Sequence, residues 1–531
     1  MRNDSRIPVT IGVTGHRDLR EEDREILKGA VRRELEALQA RCPETPLVMM
    51  TALAAGADQL CAWAALELGI ELISVLPMPL PDYAKDFDGP DFEGLMKLTD
   101  ASSEVFVAPG LEAYDERFGT PRDWCYRQAG LYIGKHSHLM IALWDGSRGE
   151  DWGCGTASMV ETMLNGSFGE SKSRKIHPDD RTVIQVVTPR KNGGPEGLTA
   201  GEVKYHADMS VLDSVLRDTE AFNNDVKGFV PHDGGDSDPV IARLRRLYEA
   251  ADTKSLDNAA KHRKYLAGLS AAATALTMAF LLYDEAEWHW MIIFCGILIL
   301  ALFAVNHLSS KDRAQARYLE YRVLAETLRV QIQLRTAGLD SEVSDIIPWN
   351  LQLAMPWIRN AVSACMTGRV PAERSSVRES WIIDQRDYHR RALEKSILKL
   401  RKNDRIIHIA LVMTLLIYAF ALVFEIGWGD LFGSTPVFTD EVNYAVRMYI
   451  KIAMGTAAAG TLFASNYYGK QALPNVIDDH RKMAALYEEA AEETDRLGEK
   501  EEILICLAED ELTENANWYA YQSKNEPDLG I

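Results

Sequence analysis

The apolar and polar positions divide this chain of 531 residues into two halves with different patterns. In the first half, short apolar runs alternate with stretches in which apolar residues recur at helical spacing, as Leu27, Val31 and Leu35 do. Such runs are typical of buried strands, and such stretches of helices. The predicted strands cover residues 7–13, 46–50, 72–76, 105–108, 138–144 and 183–188. Their alternation with helices predicts an α/β domain with a parallel sheet and helices on both faces.

The second half contains long apolar runs that carry no Asp, Glu, Lys or Arg. They cover residues 265–283, 288–310, 406–424 and 452–469. Each reaches the length of about 18 residues that a helix needs to cross a bilayer. Four buried helices of this length in one soluble domain would be unusual. The sequence therefore predicts an all-α membrane domain with four transmembrane helices.

The four runs form two pairs that are built alike. Basic residues precede each pair, at 261–264 and at 395–405, and a long charged helix follows each, at 311–335 and 478–496. The loop between the first two runs is acidic. The positive-inside rule then predicts a multi-pass membrane protein with both termini in the cytoplasm. Apolar stripes on the charged helices favour helix–helix association and a homo-oligomer.

The fourth run is rich in small and hydroxyl residues, including Gly455, Thr456, Gly460 and Thr461. Small residues allow close helix packing, and they would also suit a pore lining. No run holds an acidic residue or an arginine near its middle, which argues against a proton relay or a voltage sensor.

Glycine-containing polar strings follow three of the predicted strands. They are Thr14, Gly15, His16 and Arg17; Gly56, Ala57 and Asp58; and Asp145 with Gly153, Gly155 and Thr156. The carboxyl ends of parallel strands meet at one edge of a sheet, where ligands bind. The glycines could serve only tight turns or close helix packing. The coincidence of three strings at one edge favours a shared pocket, with a helix N-terminus that can hold a phosphate.

Composition narrows the choice of partners. The formal net charge of −20 argues against a nucleic-acid-binding surface, which would be basic. The seven cysteines include no CxxC pair, so neither a disulfide framework nor a zinc site is expected, and no other metal is predicted. The short apolar run at residues 7–13 is interrupted by Pro8, Thr10 and Gly12 and does not form the apolar core of a signal peptide, so no cleavable signal peptide is expected.

The ordered strings resemble the SLOG superfamily over about residues 6–230. The resemblance includes Leu76-Pro77 with Tyr83 and Asp86-Phe87, and Trp144-Asp145-Gly146. That superfamily unites the lonely-guy phosphoribohydrolases, DprA-type DNA-processing proteins, and ligand-sensing domains of prokaryotic defence effectors and melastatin-type channels. The resemblance implies a Rossmann-like domain that binds a nucleotide or a nucleotide-derived signal. It implies ligand contacts at the three strings and at Pro77 and Glu161.

The sequence departs from the enzymes of that superfamily at one motif. Lonely-guy enzymes resemble Pro-Gly-Gly-x-Gly-Thr-x-x-Glu, but here the proline and one glycine are missing and Met159 stands where the glutamate would fall. Glu161 comes two residues later, which turns it by about 200° around a helix axis. No catalytic residue is therefore assigned, and the motif favours binding over hydrolysis.

The paired runs with their charged helices resemble the SLATT domain, a two-span module often found beside SLOG. The resemblance covers about residues 240–531. Together these features predict a sensor at 1–232, a linker or helix at 233–255, a first two-span module at 256–385 and a second at 386–531.

The first functional hypothesis is a membrane effector gated by a nucleotide-derived second messenger. It would permeabilise the inner membrane or conduct ions across it, and the resemblance implies antiphage defence by abortive infection. Its expected partners are the nucleotide, the lipid bilayer and further copies of the chain, with no required cofactor and no nucleic acid. The alternatives are a membrane-anchored nucleotide or NAD N-glycosidase, and a membrane scaffold that senses nothing.

Overall fold

The computed structural model describes residues 5–148, 153, 155–166, 181–207, 209–232, 235–368, 374–424, 440–469 and 473–524. The chain divides into two compact units. The sheet unit combines Met1–Lys254, Arg322–Ser376 and Leu504–Ala516. The helix unit combines Ser255–Tyr321, Val377–Ile503 and Asn517–Ile531.

The sheet unit is built around a sheet of seven strands in the order β4-β3-β2-β1-β5-β6-β7. The strands are β1 Val9–Gly15, β2 Leu47–Thr51, β3 Glu71–Leu76, β4 Glu104–Val107, β5 Leu139–Trp144, β6 Thr182–Val187 and β7 Val203–His206. All neighbours pair in parallel except β6 and β7. β2 and β6 are buried along their whole length, as expected of central strands of a parallel sheet. The predicted parallel α/β domain is confirmed in this form.

One strand was not expected from the sequence. The sequence predicts a helix over residues 206–226, and this prediction is wrong at its start. His206 pairs with Val183 at the end of β7, and the helix begins at Met209. β7 is a four-residue edge strand with exposed Lys204 and Tyr205. Its residues therefore lack the apolar run that revealed the buried strands.

Helices cover the sheet and the connections between strands. The first seven are α1 Arg24–Arg41, α2 Ala57–Glu67, α3 Leu80–Tyr83, α4 Gly89–Ala101, α5 Pro121–His136, α6 Thr156–Asn165 and α7 Met209–Asp225. The strand order reverses between β1 and β5, because β2 to β4 lie on one side of β1 and β5 to β7 on the other. In open α/β sheets, this reversal opens a crevice at the carboxyl ends of the strands.

The remaining helices are α8 Pro239–Glu285, α9 Met291–Asp312, α10 Ala314–Thr336, α11 Val343–Ile346, α12 Trp349–Ala354, α13 Pro356–Cys365, α14 Asp384–Leu422, α15 Asp440–Gly469, α16 Leu473–Leu497 and α17 Glu501–Gln522. The borders between the two units fall within α8, α10 and α17. Within the sheet unit, Lys135 at the end of α5 lies 2.9 Å from Glu342, next to α11. The nearby His136 Nε2 lies 3.0 Å from the same carboxylate.

Three helical segments are long and apolar enough to cross a membrane among the described residues. They contain the first predicted span and overlap most of the second and third, with mean hydropathies of 1.7, 2.4 and 2.1 over their apolar windows. Only 17%, 11% and 0% of those windows is buried. Apolar helices of this length that remain uncovered are typical of a membrane protein.

The fourth predicted span, residues 452–469, lies within α15. The mean hydropathy of this helix is too low for it to count among the segments apolar enough to cross a membrane. Its glycines, threonines and Asn466 reduce the mean hydropathy that the alanines and Leu462 would otherwise give. Four spans therefore remain a prediction. The loop between α14 and α15, including Trp428, lies outside the described residues.

α15 packs against α8 within the helix unit. A Cβ atom at Gly455 would overlap the Leu281 side chain, so the two helices approach closely at this glycine. Near the same end, Lys451 Nζ lies 2.8 Å from Glu285 Oε2. Lys451 is thus beside Glu285, and Gly455, four residues later on α15, is beside Leu281, four residues earlier on α8. The two helices are therefore antiparallel. At Gly455, the small residue serves close packing.

Candidate functional site

The carboxyl ends of β1 and β5 lie side by side at the reversal of strand order. Gly15 is paired with Leu143 in the sheet, and the backbone N–H of His16 donates to the Leu143 carbonyl at 3.0 Å. The segment after β1 therefore runs beside Asp145, which follows β5. This brings two of the three predicted strings into direct contact.

The third string joins them through α2. The backbone N–H of Ala57 donates to the His16 carbonyl at 3.1 Å. Gly56 has a φ of +82°, and an added Cβ would lie 2.8 Å from the His16 carbonyl oxygen and closer still to that of Arg17. An added Cβ at Gly15 would overlap Ala57. Both glycines are thus explained by close packing, and that packing also holds His16 and Arg17 against the start of α2.

His16 and Asp145 form the centre of the contact. Burial lowers the pKa of His16, although the Asp145 carboxylate opposes that change. The imidazole is therefore neutral near pH 7, and its Nε2 accepts a hydrogen bond from the backbone N–H of Asp145 at 3.1 Å. The same nitrogen lies 3.3 Å from Asp145 Oδ1.

The Asp145 carboxylate is only half satisfied. Its Oδ1 accepts from the backbone N–H and the hydroxyl of Ser147 at 2.9 and 2.6 Å. Its Oδ2 is buried and has no hydrogen-bond partner among the described residues. Burial alone would raise the pKa of Asp145, but the hydrogen bonds from Ser147 hold it below its ordinary value. The group is a carboxylate at neutral pH with one oxygen still able to accept.

Asp58 supplies a second carboxyl group at this edge, in the first turn of α2. It is buried, and its Oδ2 accepts from the Thr51 hydroxyl at 3.0 Å and from the Ala54 N–H at 3.3 Å. Burial raises its pKa to about 6. Asp58 therefore changes its protonation close to physiological pH.

Helix α5 contributes residues that the sequence analysis did not select. The guanidinium of Arg17 lies 4.7 Å from the centre of the Tyr126 ring. The Tyr126 hydroxyl donates to Asp86, which also lies 2.6 Å from Arg122. The signal that could have revealed them is the spacing of Arg122 and Tyr126, one helical turn apart, directly after the Thr120 capping box.

The glycine loop leads into the N-terminus of α6. Gly153 has a φ of +95°, and its carbonyl accepts from Arg127 Nη1 at 2.7 Å. Gly155 caps α6 without a side-chain hydrogen bond, and Thr156 begins the helix half-buried. The first N–H groups of an α-helix lack partners within the helix and favour an anion. Cys154, between the two glycines, lies outside the described residues.

The remaining predicted residues are placed differently. Met159 is buried against Gly130 of α5, while Glu161 is exposed on α6. Pro77 is buried after β3, and Thr14 is half-buried at the end of β1. The contacts described above unite Gly15, His16, Arg17, Gly56, Ala57 and Asp145, and Asp58 follows Ala57 in the first turn of α2. They do not include Thr14, Pro77, Gly153, Gly155, Thr156 or Glu161.

Neither the comparison with protein-family models nor that with curated proteins finds a match. Within the part of the chain that the structure describes, no group of three or more His, Cys, Asp and Glu side chains could hold a metal ion. The edge of the sheet thus presents arginine, histidine and carboxylate groups, and the N-terminus of α6 follows β5 along the chain.

Proposed function

We propose that this chain is a membrane effector gated by a nucleotide-derived signal. The observation that carries the proposal is the junction of Gly15–Arg17, the start of α2 and Asp145 at the reversal of strand order, in a chain that also has uncovered apolar helices. Nucleotides bind at this position in open α/β sheets. The apolar helices support an effect of binding on a membrane.

The chemistry at the edge suits the two ends of a nucleotide. The unpartnered Oδ2 of Asp145 can accept from a ribose hydroxyl or an amino group. Arg17 and the N-terminus of α6 can hold phosphate. We expect one ligand to contact both parts, because a ligand that bridges separate segments can favour one arrangement of them.

Gating requires that the ligand bind the active arrangement more tightly than the resting one. A hundredfold difference supplies about 2.7 kcal/mol per site, so several coupled copies are needed for a sharp response. We therefore expect a homo-oligomer of a multi-pass inner-membrane protein. Leakage caused by an invader's nucleotide signal would fit antiphage defence by abortive infection.

The test measures binding and leakage on the same preparation. The full chain is titrated in detergent with mononucleotides, cyclic dinucleotides and NAD derivatives, and then reconstituted in liposomes that contain a fluorescent dye. We expect one class to bind and to release the dye over the same concentration range. Binding without any release would contradict the gated effector, and no binding at all would leave only the scaffold.

A matched pair of variants connects the response to the proposed edge. Arg17→Gln removes the cation over Tyr126, and we expect it to weaken nucleotide affinity by about tenfold. Arg32→Gln removes an exposed arginine of α1 that is paired with Glu36, and we expect affinity to be unchanged. Equal effects of the two variants would argue against the edge as the binding site.

A second candidate function is an N-glycosidase, and Asp58 is the observation that favours it. A buried carboxyl group with a pKa of about 6 can donate or accept a proton near neutral pH. Release of a free base from a nucleotide or from NAD, abolished by Asp58→Asn, would support the enzyme. The exposed Glu161 offers a second variant, Glu161→Gln, which should lose base release only if the lonely-guy chemistry is retained.

A further inference from the structure

The exposed side of α14 carries a cationic stretch directly before the apolar run that starts at Ile406. Its members are all exposed side chains: Arg391, Lys395, Lys399, Arg401, Lys402 and Arg405. At about 100° per residue they fall within one half of the helix circumference. The opposite half includes the buried Asn403. The stretch is therefore a continuous cationic face at the entrance to a candidate span.

The cations of this stretch differ in their ion pairing from the two arginines that precede them on the same helix. Arg386 and Arg390 both form ion pairs with Glu488 of α16. Across the residues that the structure describes, none of the six cations of the stretch has an ion-pair partner. The same part of α14 holds two exposed acidic residues, Glu394 and Asp404. Because six cations outnumber them, this part of the helix keeps a strong positive charge.

Helix α8 repeats this arrangement before the first candidate span. Lys261, Arg263 and Lys264 are exposed and, among the described residues, have no ion-pair partner. The hydroxyl of Tyr265 donates to Asp312 Oδ2 at 3.3 Å, which places the end of α9 and the exposed Lys311 beside them. Both apolar hairpins thus present unpaired cations where they begin.

We propose that these two cationic stretches bind the headgroups of anionic phospholipids. Charge complementarity selects a polyanionic surface, and the adjacent apolar windows, 17% and 0% buried, fix the cations at the boundary between hydrocarbon and water. Lysine and arginine can lay their apolar stems along such a boundary and extend the charge to a phosphate. The proposal requires that the helices enter a bilayer, but not that the sheet unit bind a nucleotide.

Anionic lipid should therefore be retained by the protein more strongly than zwitterionic lipid. Each Lys or Arg close to an anionic membrane surface strengthens binding by roughly fivefold. Because the cations are exposed, salt should weaken the preference.

The test uses the full chain in a mild detergent, mixed with equal amounts of phosphatidylglycerol and phosphatidylcholine. Native mass spectrometry then counts the retained lipids. We expect the wild-type chain to favour phosphatidylglycerol by about tenfold or more at low salt, with a smaller preference at high salt. The triple variant Lys395→Gln, Lys399→Gln, Lys402→Gln should lose most of the preference, and the corresponding Lys→Arg variant should keep it.

The control removes the same number of charges from α16. Arg481, Lys482 and Arg496 are exposed but paired within their own helix, with Asp478, Asp478 and Glu493. Their replacement by glutamine should leave the preference unchanged. The proposal is overturned if the wild type retains both lipids equally, if the control loses as much as the α14 variant, or if the arginine variant fails to retain the preference.

Discussion

Gly56 links local backbone geometry to the candidate site. We expect Gly56→Ala to destabilise the sheet unit by about 2–4 kcal/mol, because a Cβ would press on the carbonyls of His16 and Arg17 at a φ of +82°. It should also weaken nucleotide binding, since those two residues must move. Thermal unfolding and a binding titration would measure the two effects.

Gly69 offers the matched control. It also has a positive φ, of +69°, but nothing lies within 4 Å of an added Cβ. Gly69→Ala should therefore cost only the left-handed backbone penalty of about 1 kcal/mol and leave binding intact. If both variants lose the same stability, the close approach at Gly56 is not what requires the glycine.

Asp58 gives the sheet unit a pH dependence of definite sign. Its pKa is raised from 3.8 to about 6 by burial, so the folded state binds this proton more tightly than the unfolded state does. The resulting stabilisation is full below about pH 4 and is lost as the pH rises through 6. Two pH units correspond to about 3 kcal/mol. Unfolding temperatures of the full chain between pH 4.5 and 8 would follow this loss.

The variant Asp58→Asn should remove that dependence while it keeps the bonds from Thr51 and Ala54 to the side-chain oxygen. We expect it to unfold at a higher temperature than the wild type at pH 8 and at a similar one at pH 4.5. Asp100→Asn, at an exposed position of α4, removes one charge as a control and should change neither value. A wild type without pH dependence would show that Asp58 stays ionised throughout.

The residues that sequence reasoning found and missed at this site differ in how they are held. Gly15, His16 and Asp145 follow strands directly, so the parallel sheet determines their position once the strands are recognised. Tyr126 and Arg122 reach the edge from α5, and that position depends on how α5 packs across the sheet. The spacing of Arg122 and Tyr126 shows that they share one face of a helix, but it does not show that this face meets the sheet edge. β7 was missed for a different reason, because its residues lack an apolar run.

At the scale of helices, the two glycines of α15 differ in what lies next to them. Gly455 lies against Leu281 of α8, whereas nothing lies within 4 Å of an added Cβ at Gly460. We expect Gly455→Leu to separate α15 from α8 and Gly460→Leu to leave the pair in contact. A short bis-maleimide cross-link between Glu285→Cys and Lys451→Cys, the two positions of the ion pair, would report the contact.

The bridged peptide can be identified by mass spectrometry. It should form in the Gly460→Leu background and be lost, or form several times more slowly, in the Gly455→Leu background. Equal bridging in both would show that Leu281 moves aside and that Gly455 does not determine the packing. In that case the small size of Gly455 would favour the alternative that α15 lines a pore.

At the scale of the whole molecule, the sheet unit is assembled from three separate segments of the chain, and this limits the possible number of membrane crossings. It unites Met1–Lys254, Arg322–Ser376 and Leu504–Ala516, with Arg329 paired to Glu511 and Arg335 to Asp238. A folded unit with an open sheet lies on one side of a bilayer, because hydrocarbon does not satisfy its backbone groups. If the apolar helices cross a membrane, we therefore expect an even number of crossings in each interval between these segments.

The first interval meets this condition with α8 and α9, whose apolar windows are both long enough. In the second interval, α14 provides one crossing, and residues 452–469 of α15 are the remaining apolar run. We therefore expect α15 to cross as well, despite its lower hydropathy. Its close contact with α8 at Gly455 can replace lipid contacts that its small residues do not make.

Labelling by a membrane-impermeant thiol reagent distinguishes three crossings from four. Cys506 is exposed in α17, and Arg32→Cys places an exposed thiol on α1. With four crossings, both stay unlabelled in intact cells and react after permeabilisation, whereas His289→Cys, between α8 and α9, reacts from outside. With three crossings, Cys506 reacts in intact cells while Arg32→Cys stays protected. That result would require α17 and the sheet to lie on opposite sides of the membrane, which contradicts their assembly into one unit.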